Sequence, residues 1–145
     1  MPATWCGTLK LVDTNVLVCA LGREHPLRAA CRRVLAWGAA NQGELTTDAE
    51  ALQELLHFYG TRGEAGKGAA AVRECLAILP GPLAIAAAEV QEAAALVLAS
   101  PRLSTRDAIH AAVVRLHGPD AIISADRDFD EVPGLRRLSP EVAVP

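Results

Sequence analysis

The 145-residue chain is 51% hydrophobic and 21% charged, and 28 of its apolar positions are Ala. That is one domain's worth of core, while the charge is too dense for a membrane protein and too patterned for a disordered chain. The net charge of -3, with 12 Arg and two Lys against 17 acids, gives no overall attraction for nucleic acid, but it leaves room for an acidic site flanked by local Arg patches.

Five scattered aromatics, Trp5, Trp37, Phe58, Tyr59 and Phe129, argue against a fold that stacks bases on a sheet of rings. Cys6, Cys19, Cys31 and Cys75 form no Cys-x-x-Cys pair, which points to a reducing cytoplasm. Met1 to Lys10 lacks the apolar stretch of a signal peptide, and no run reaches the ~18 residues of a membrane span. The expectation is a cytoplasmic protein with no membrane partner.

Leu9 to Val12 reads as a strand, Asp13-Thr14-Asn15 as a turn, and Val16 to Leu21 as a short helix. After Pro26, Leu27, Ala30, Cys31, Val34 and Leu35 recur at helical spacing until Gly38. Leu45 to Thr47 is a second candidate strand. Thr47-Asp48-Ala49-Glu50 then has the capping-box pattern that starts a helix to Tyr59, with Leu52, Leu55, Leu56 and Tyr59 as its apolar stripe. Gly60 to Gly68 reads as a glycine-rich loop, Ala69 to Leu79 as a helix, and Leu83 to Ile85 as a short apolar strand after Pro80-Gly81-Pro82.

An Ala-rich helix spans Glu89 to Ala99. Ser104-Thr105-Arg106-Asp107 opens another that is apolar on nearly every side to Leu116 and should be buried. Ala121 to Ser124 and Arg136 to Leu138 close the set as strands. Alternating strands and helices imply an α/β/α sandwich around a mostly parallel sheet. No repeat or linker divides residues 1–145, so they read as one domain with residues 1–8 as a short extension.

The acids fall at informative places. Asp13 follows the first strand, Asp126 follows the Ile122-Ile123 strand, and Asp107 lies in the first turn of a buried helix. In parallel α/β sheets these places share the edge where ligands bind. Glu54, on a stripe flanking the apolar face of its helix, adds a fourth, whereas Glu50 is occupied with capping. Facing carboxylates repel unless protonated or bridged by a cation, and an all-oxygen donor set favours Mg²⁺ or Mn²⁺. Such ions activate water and offset charge on a phosphodiester, so hydrolysis of that bond is the natural chemistry.

Taken singly, Asp13 fits a turn residue, Asp107 the end of a capping box, and Asp126 a solvated position within Asp126 to Asp130. Their joint occurrence is what points to a site.

The order of these residues resembles the PIN-domain endoribonucleases of the VapC toxin type. The likeness runs through Val12-Asp13-Thr14-Asn15-Val16, Leu52-Gln53-Glu54-Leu55, Leu103-Ser104-Thr105-Arg106-Asp107-Ala108 and Ile123-Ser124-Ala125-Asp126-Arg127-Asp128-Phe129, with Pro140 near the end. No one of these motifs is specific; four in order at suitable separations are. The resemblance implies Asp13 and Asp107 as principal ligands of Mg²⁺ or Mn²⁺, with Asp126 and Glu54 completing the acidic site. Thr14, Asn15 and Ser124 would be hydrogen-bonding support and Asp128 a neighbour. It also implies a homodimer and a cognate antitoxin that blocks the crevice.

Arg23, Arg28, Arg32, Arg33, Arg106 and Arg127 are the candidates for gripping RNA. Three rivals remain. A phosphotransferase using Asp13 as nucleophile wants a late Lys, and Lys67 is the last. A metal-free nuclease would use His25, His57, His110 or His117, although a His on a buried helix is usually a packing residue. A non-catalytic PIN-like scaffold binding RNA or protein would be expected to have lost acids.

Overall fold

The computed structural model describes residues 9–22 and 24–145. Arg23, Trp5 and Cys6 lie outside the described residues. Four parallel strands, β1 (Lys10–Val12), β2 (Leu45–Thr46), β3 (Ala121–Ile123) and β4 (Arg137–Leu138), form a sheet in the order β2-β1-β3-β4. Six helices cover it: α1 (Thr14–Leu21), α2 (Arg28–Ala40), α3 (Ala49–Gly60), α4 (Ala65–Ile78), α5 (Ala87–Ala99) and α6 (Thr105–His117). Among the described residues no helix is long and apolar enough to cross a membrane.

The two inner strands explain the layering. Successive side chains of a strand point to opposite faces. Val12 and Ile123 enter a core with Val16, Leu17, Val34, Leu55 and Cys75 from α1 to α4. Leu11 and Ile122 enter a second core with Ala93, Leu96, Ala111, Val113 and Phe129, built on α5 and α6. Burial on both faces is why these strands read as continuous apolar runs.

Three local expectations are corrected. The glycine-rich stretch is not a loop throughout: α4 begins at Ala65 and carries Gly66 and Gly68 inside it. The reason for Gly68 is packing, because a Cβ there would stand 3.1 Å from Tyr59 Cβ and 3.6 Å from the Leu56 carbonyl oxygen. Gly68→Val is therefore expected to destabilise the fold by about 1–3 kcal/mol in a denaturant titration, since neither contact atom is the end of a flexible chain.

Leu83 to Ile85 is not a strand. It forms only a bridge between Leu83 and Asp48, in which Leu83 N donates to Thr47 O at 2.9 Å and Ala49 N to Leu83 O at 2.9 Å. The stripe on α3 is Ala51, Leu55 and Tyr59, while Leu56 is exposed.

Candidate active site

Asp13 leaves the carboxyl end of the central strand and N-caps α1, its Oδ1 accepting from Thr14 N at 2.7 Å. Its Oδ2 accepts from Ser124 Oγ at 2.7 Å, one residue beyond β3. Ser124 is a junction: its hydroxyl oxygen also accepts from Asn15 Nδ2 at 3.0 Å and from Asp126 N at 3.0 Å. Asp126 in turn caps a 3-10 turn at Arg127–Glu131, accepting from Asp128 N at 2.9 Å. The turn is anchored by Phe129, which is fully buried, while Arg127 and Asp130 face solvent. The candidates Asp13, Thr14, Asn15, Ser124, Asp126 and Asp128 thus form one connected group at the strand ends.

Ser124→Ala removes a buried hydroxyl that serves three partners. The expected cost is about 1–3 kcal/mol of stability, read by chemical denaturation, because Asp13 loses a donor in a site where water cannot replace it.

Asp107 sits in the first turn of α6, where Ser104 caps the helix by accepting from Asp107 N at 3.1 Å. Its carboxyl is pushed up to about 7 by burial first, then by the negative charges of Asp13 and Asp126, against the Ser104 hydrogen bond. Burial likewise raises Asp13, although His110, Ser124 and the Thr14 amide work the other way. Asp107 therefore feels the charges of both Asp13 and Asp126 across the edge of the sheet. Among the described residues no three carboxylate, imidazole or thiol groups already close around a position that would hold an ion.

Glu54 is half-buried on α3 but is engaged elsewhere. Its Oε1 lies 2.9 Å from His110 Nε2, and Asp48 Oδ2 lies 2.6 Å from His110 Nδ1. Asp13 Oδ1 is 3.4 Å from the same Nε2, and Thr14 Oγ1 is 3.5 Å from it. Carboxylates only accept, so both ring nitrogens carry protons. Burial opposes that charge, but the Asp48 and Glu54 hydrogen bonds outweigh it and hold the ring well above its ordinary range.

His110 and Asp48 are the residues that sequence reasoning missed. His110 was expected as a packing residue, and Asp48 as an inner member of a box capped by Thr47. In the structure Asp48 is itself the cap, accepting from Ala51 N at 2.8 Å, and the Thr47 hydroxyl donates to Val12 O at 2.9 Å. Glu50 is not consumed by capping; burial and then the Glu54 charge raise its carboxyl, which places it in the same acidic neighbourhood. A signal was available: His110 is three residues after Asp107, hence on the same side of an otherwise apolar helix.

The arginines are less gathered. Arg28 and Arg32 line a cleft of about 610 Å³ with Glu24 and His25, and Arg28 Nε is buried without a hydrogen-bond partner among the described residues. Arg32 donates to Ala20 O and Arg33 to Glu141 O. Arg106 and Arg127 are exposed beside Asp107 and Asp126 in the chain. Arg62 was not expected. Its guanidinium lies 3.6 Å over the Phe58 ring, and it shares a cavity of about 300 Å³ with Asn15 and Ala125, at the rim of the acidic group.

The family model described as PIN domain matches residues 10–135, which include Asp13, Glu54, Asp107 and Asp126. Ribonuclease VapC13 of Mycobacterium tuberculosis is 33% identical over 129 residues, covering 89% of this chain and 98% of its own length. Among solved structures, VapBC2 from Rickettsia felis, bound to a promoter DNA fragment, aligns with a TM-score of 0.72 at 14% identity over 90% of this chain and 98% of that one. A toxin–antitoxin complex from Klebsiella pneumoniae aligns with a TM-score of 0.64 at 20% identity, covering 90% and 97%. These structures carry the fold, and the family model and the sequence relative carry the membership: the chain belongs to the PIN-domain family and, within it, to the VapC ribonucleases.

Proposed function

We propose that this chain is a divalent-metal-dependent endoribonuclease that acts as the toxin of a toxin–antitoxin pair. The observation that carries the reading is the gathering of Asp13 and Asp126 around the Ser124 hydroxyl at the strand ends, with Asp107, pushed up to about 7 by burial first, near enough to feel the charges of both. Three oxygen donors under such repulsion fit a hard cation, Mg²⁺ or Mn²⁺, which would relieve it; the donor chemistry matches, and turning of the half-buried Asp107 and Asp126 would complete the approach. When bound, such an ion supplies water activation and stabilisation of charge on the phosphate.

The remaining work falls to side chains of the protein. Ser124 and the Thr14 amide fix the Asp13 carboxylate. Asn15 orients Ser124, and the 3-10 turn holds Asp126 at the rim. Arg62, Arg106 and Arg127 flank the acids and suit phosphate contacts of RNA, with the Arg28 and Arg32 cleft as a second contact. Metal-free catalysis by His110 is disfavoured because both its nitrogens are committed to carboxylates and the ring is shut off from solvent.

An antitoxin partner is part of the reading and is supported by the toxin–antitoxin complex among the structural neighbours. A homodimer is also part of it, and Val90 and Leu98, exposed two turns apart on α5, offer apolar surface for contact. The deciding experiment is cleavage of RNA by the purified chain with Mg²⁺ or Mn²⁺ and with excess EDTA. Cleavage is expected to need the ion and to stop in EDTA. Undiminished cleavage in EDTA would remove the metal from the mechanism, and no cleavage of any RNA would favour the scaffold.

A further inference from the structure

We propose that His110, anchored by Asp48, is a positioning residue that holds the Glu54 carboxylate away from the metal, leaving Asp13, Asp107 and Asp126 as the acids that bind the ion. The inference deepens the metal-dependent reading above and rests on it.

The anchoring is rigid. Asp48 divides its carboxylate between two tasks, Oδ1 accepting from Ala51 N at 2.8 Å at the start of α3 and Oδ2 meeting His110 Nδ1 at 2.6 Å. Neither Asp48 nor His110 has solvent exposure, so the ring cannot swing out. Its other nitrogen faces Glu54 Oε1 at 2.9 Å and Asp13 Oδ1 at 3.4 Å, and the shorter contact takes the proton. Asp48 caps α3, Glu54 lies on it six residues later, and both grip one ring from α6 more closely than Asp13 does, so the ring holds Glu54 on the α3 side. Asp13, by contrast, has its two oxygens aimed by Thr14 N and Ser124 Oγ, both on the sheet-edge side of the site.

Packing leads to the same division. Moving Glu54 to an ion would break its 2.9 Å contact with His110 and deprive a fully buried ring nitrogen of its nearest partner.

The test measures Mn²⁺ binding by the purified full chain without RNA, using calorimetry with paramagnetic-resonance counting of free Mn²⁺. Glu54→Gln keeps an acceptor for His110 and is expected to bind Mn²⁺ within about twofold of the unsubstituted chain. Asp107→Asn is expected to lose at least ~100-fold, since even partners outside the ligand set cost 10–100-fold. His110→Gln, which releases Glu54, is expected to tighten Mn²⁺ binding or add a second bound ion, and the His110→Gln/Glu54→Gln double variant to reverse the gain.

A ~100-fold loss in Glu54→Gln would overturn the proposal while leaving the metal-dependent reading in place. Unchanged binding in a cooperatively melting His110→Gln protein would also overturn it. If His110→Gln does not fold, the Glu54→Gln result decides alone. Absence of Mn²⁺ binding in the unsubstituted chain would instead defeat the metal-dependent reading, together with this proposal.

Discussion

Replacing Asp107 by Asn is expected to abolish RNA cleavage and, without divalent ions at pH 8, to make the protein harder to melt. The loss of activity follows from removing one of three charges proposed to hold the metal, and should be on the order of 10³-fold or more in kcat/KM. The gain in stability follows from the strain on the carboxyl, which burial, Asp13 and Asp126 push from 3.8 to about 7.

A raised acid binds its proton more tightly in the folded chain than in the unfolded one. Its cost is therefore absent below about pH 3.8, grows as pH rises towards 7, and is complete above. Allowing for solvent screening at this half-open position, removal of the charge should return about 1–2 kcal/mol at pH 8. That corresponds to a Tm higher by roughly 3–8 °C in EDTA, with no gain near pH 4. A Tm that is equal or lower at pH 8 would mean the acids are not in mutual conflict. Added Mn²⁺ should raise the Tm of the unsubstituted chain and leave that of Asp107→Asn unchanged.

The largest loss of stability is expected from His110→Ala. Removing the ring leaves Asp48 fully buried without its cation and opens a cavity between α3 and α6, and breaking such a pair costs about 3–5 kcal/mol. The Asp48→Asn/His110→Ala double variant should lose less than the single one, because Asn still caps α3 and no charge is orphaned. The ring's pKa is raised well above its ordinary 6.5, so its stabilisation is fully present below about pH 6.5 and is lost as pH rises through the folded value. Denaturant midpoints measured from pH 6 upward should therefore converge between the unsubstituted chain and His110→Ala at the alkaline end. A constant difference at all pH values would show that the ring acts by packing alone.

Much of this architecture is written locally. The doubly buried strands reveal themselves because Leu11, Val12, Ile122 and Ile123 leave no polar face, and Asp13 and Asp126 stand out because each comes after such a run. What escapes a reading of the chain is decided by contacts between distant segments. Asp48 and His110 are 62 residues apart, and each looks ordinary beside its own neighbours. Gly68 looks like a loop residue until Tyr59 of α3 is placed against it. Leu83 to Ile85 has strand composition, yet only Leu83 finds backbone partners. Glu50 was assigned to a cap that Asp48 provides, because two adjacent residues can both serve and only the backbone turn selects one.

The sheet order has a consequence for how the protein is born. β1 pairs with β3, and β3 with β4, so the central strand waits for residues 121–138 before its second edge is closed. Asp13 is made early in synthesis, but its hydroxyl donor Ser124 and its neighbour Asp126 come more than a hundred residues later. A chain still emerging from the ribosome holds the first acid without the last. The assembled site therefore belongs to the nearly finished polypeptide.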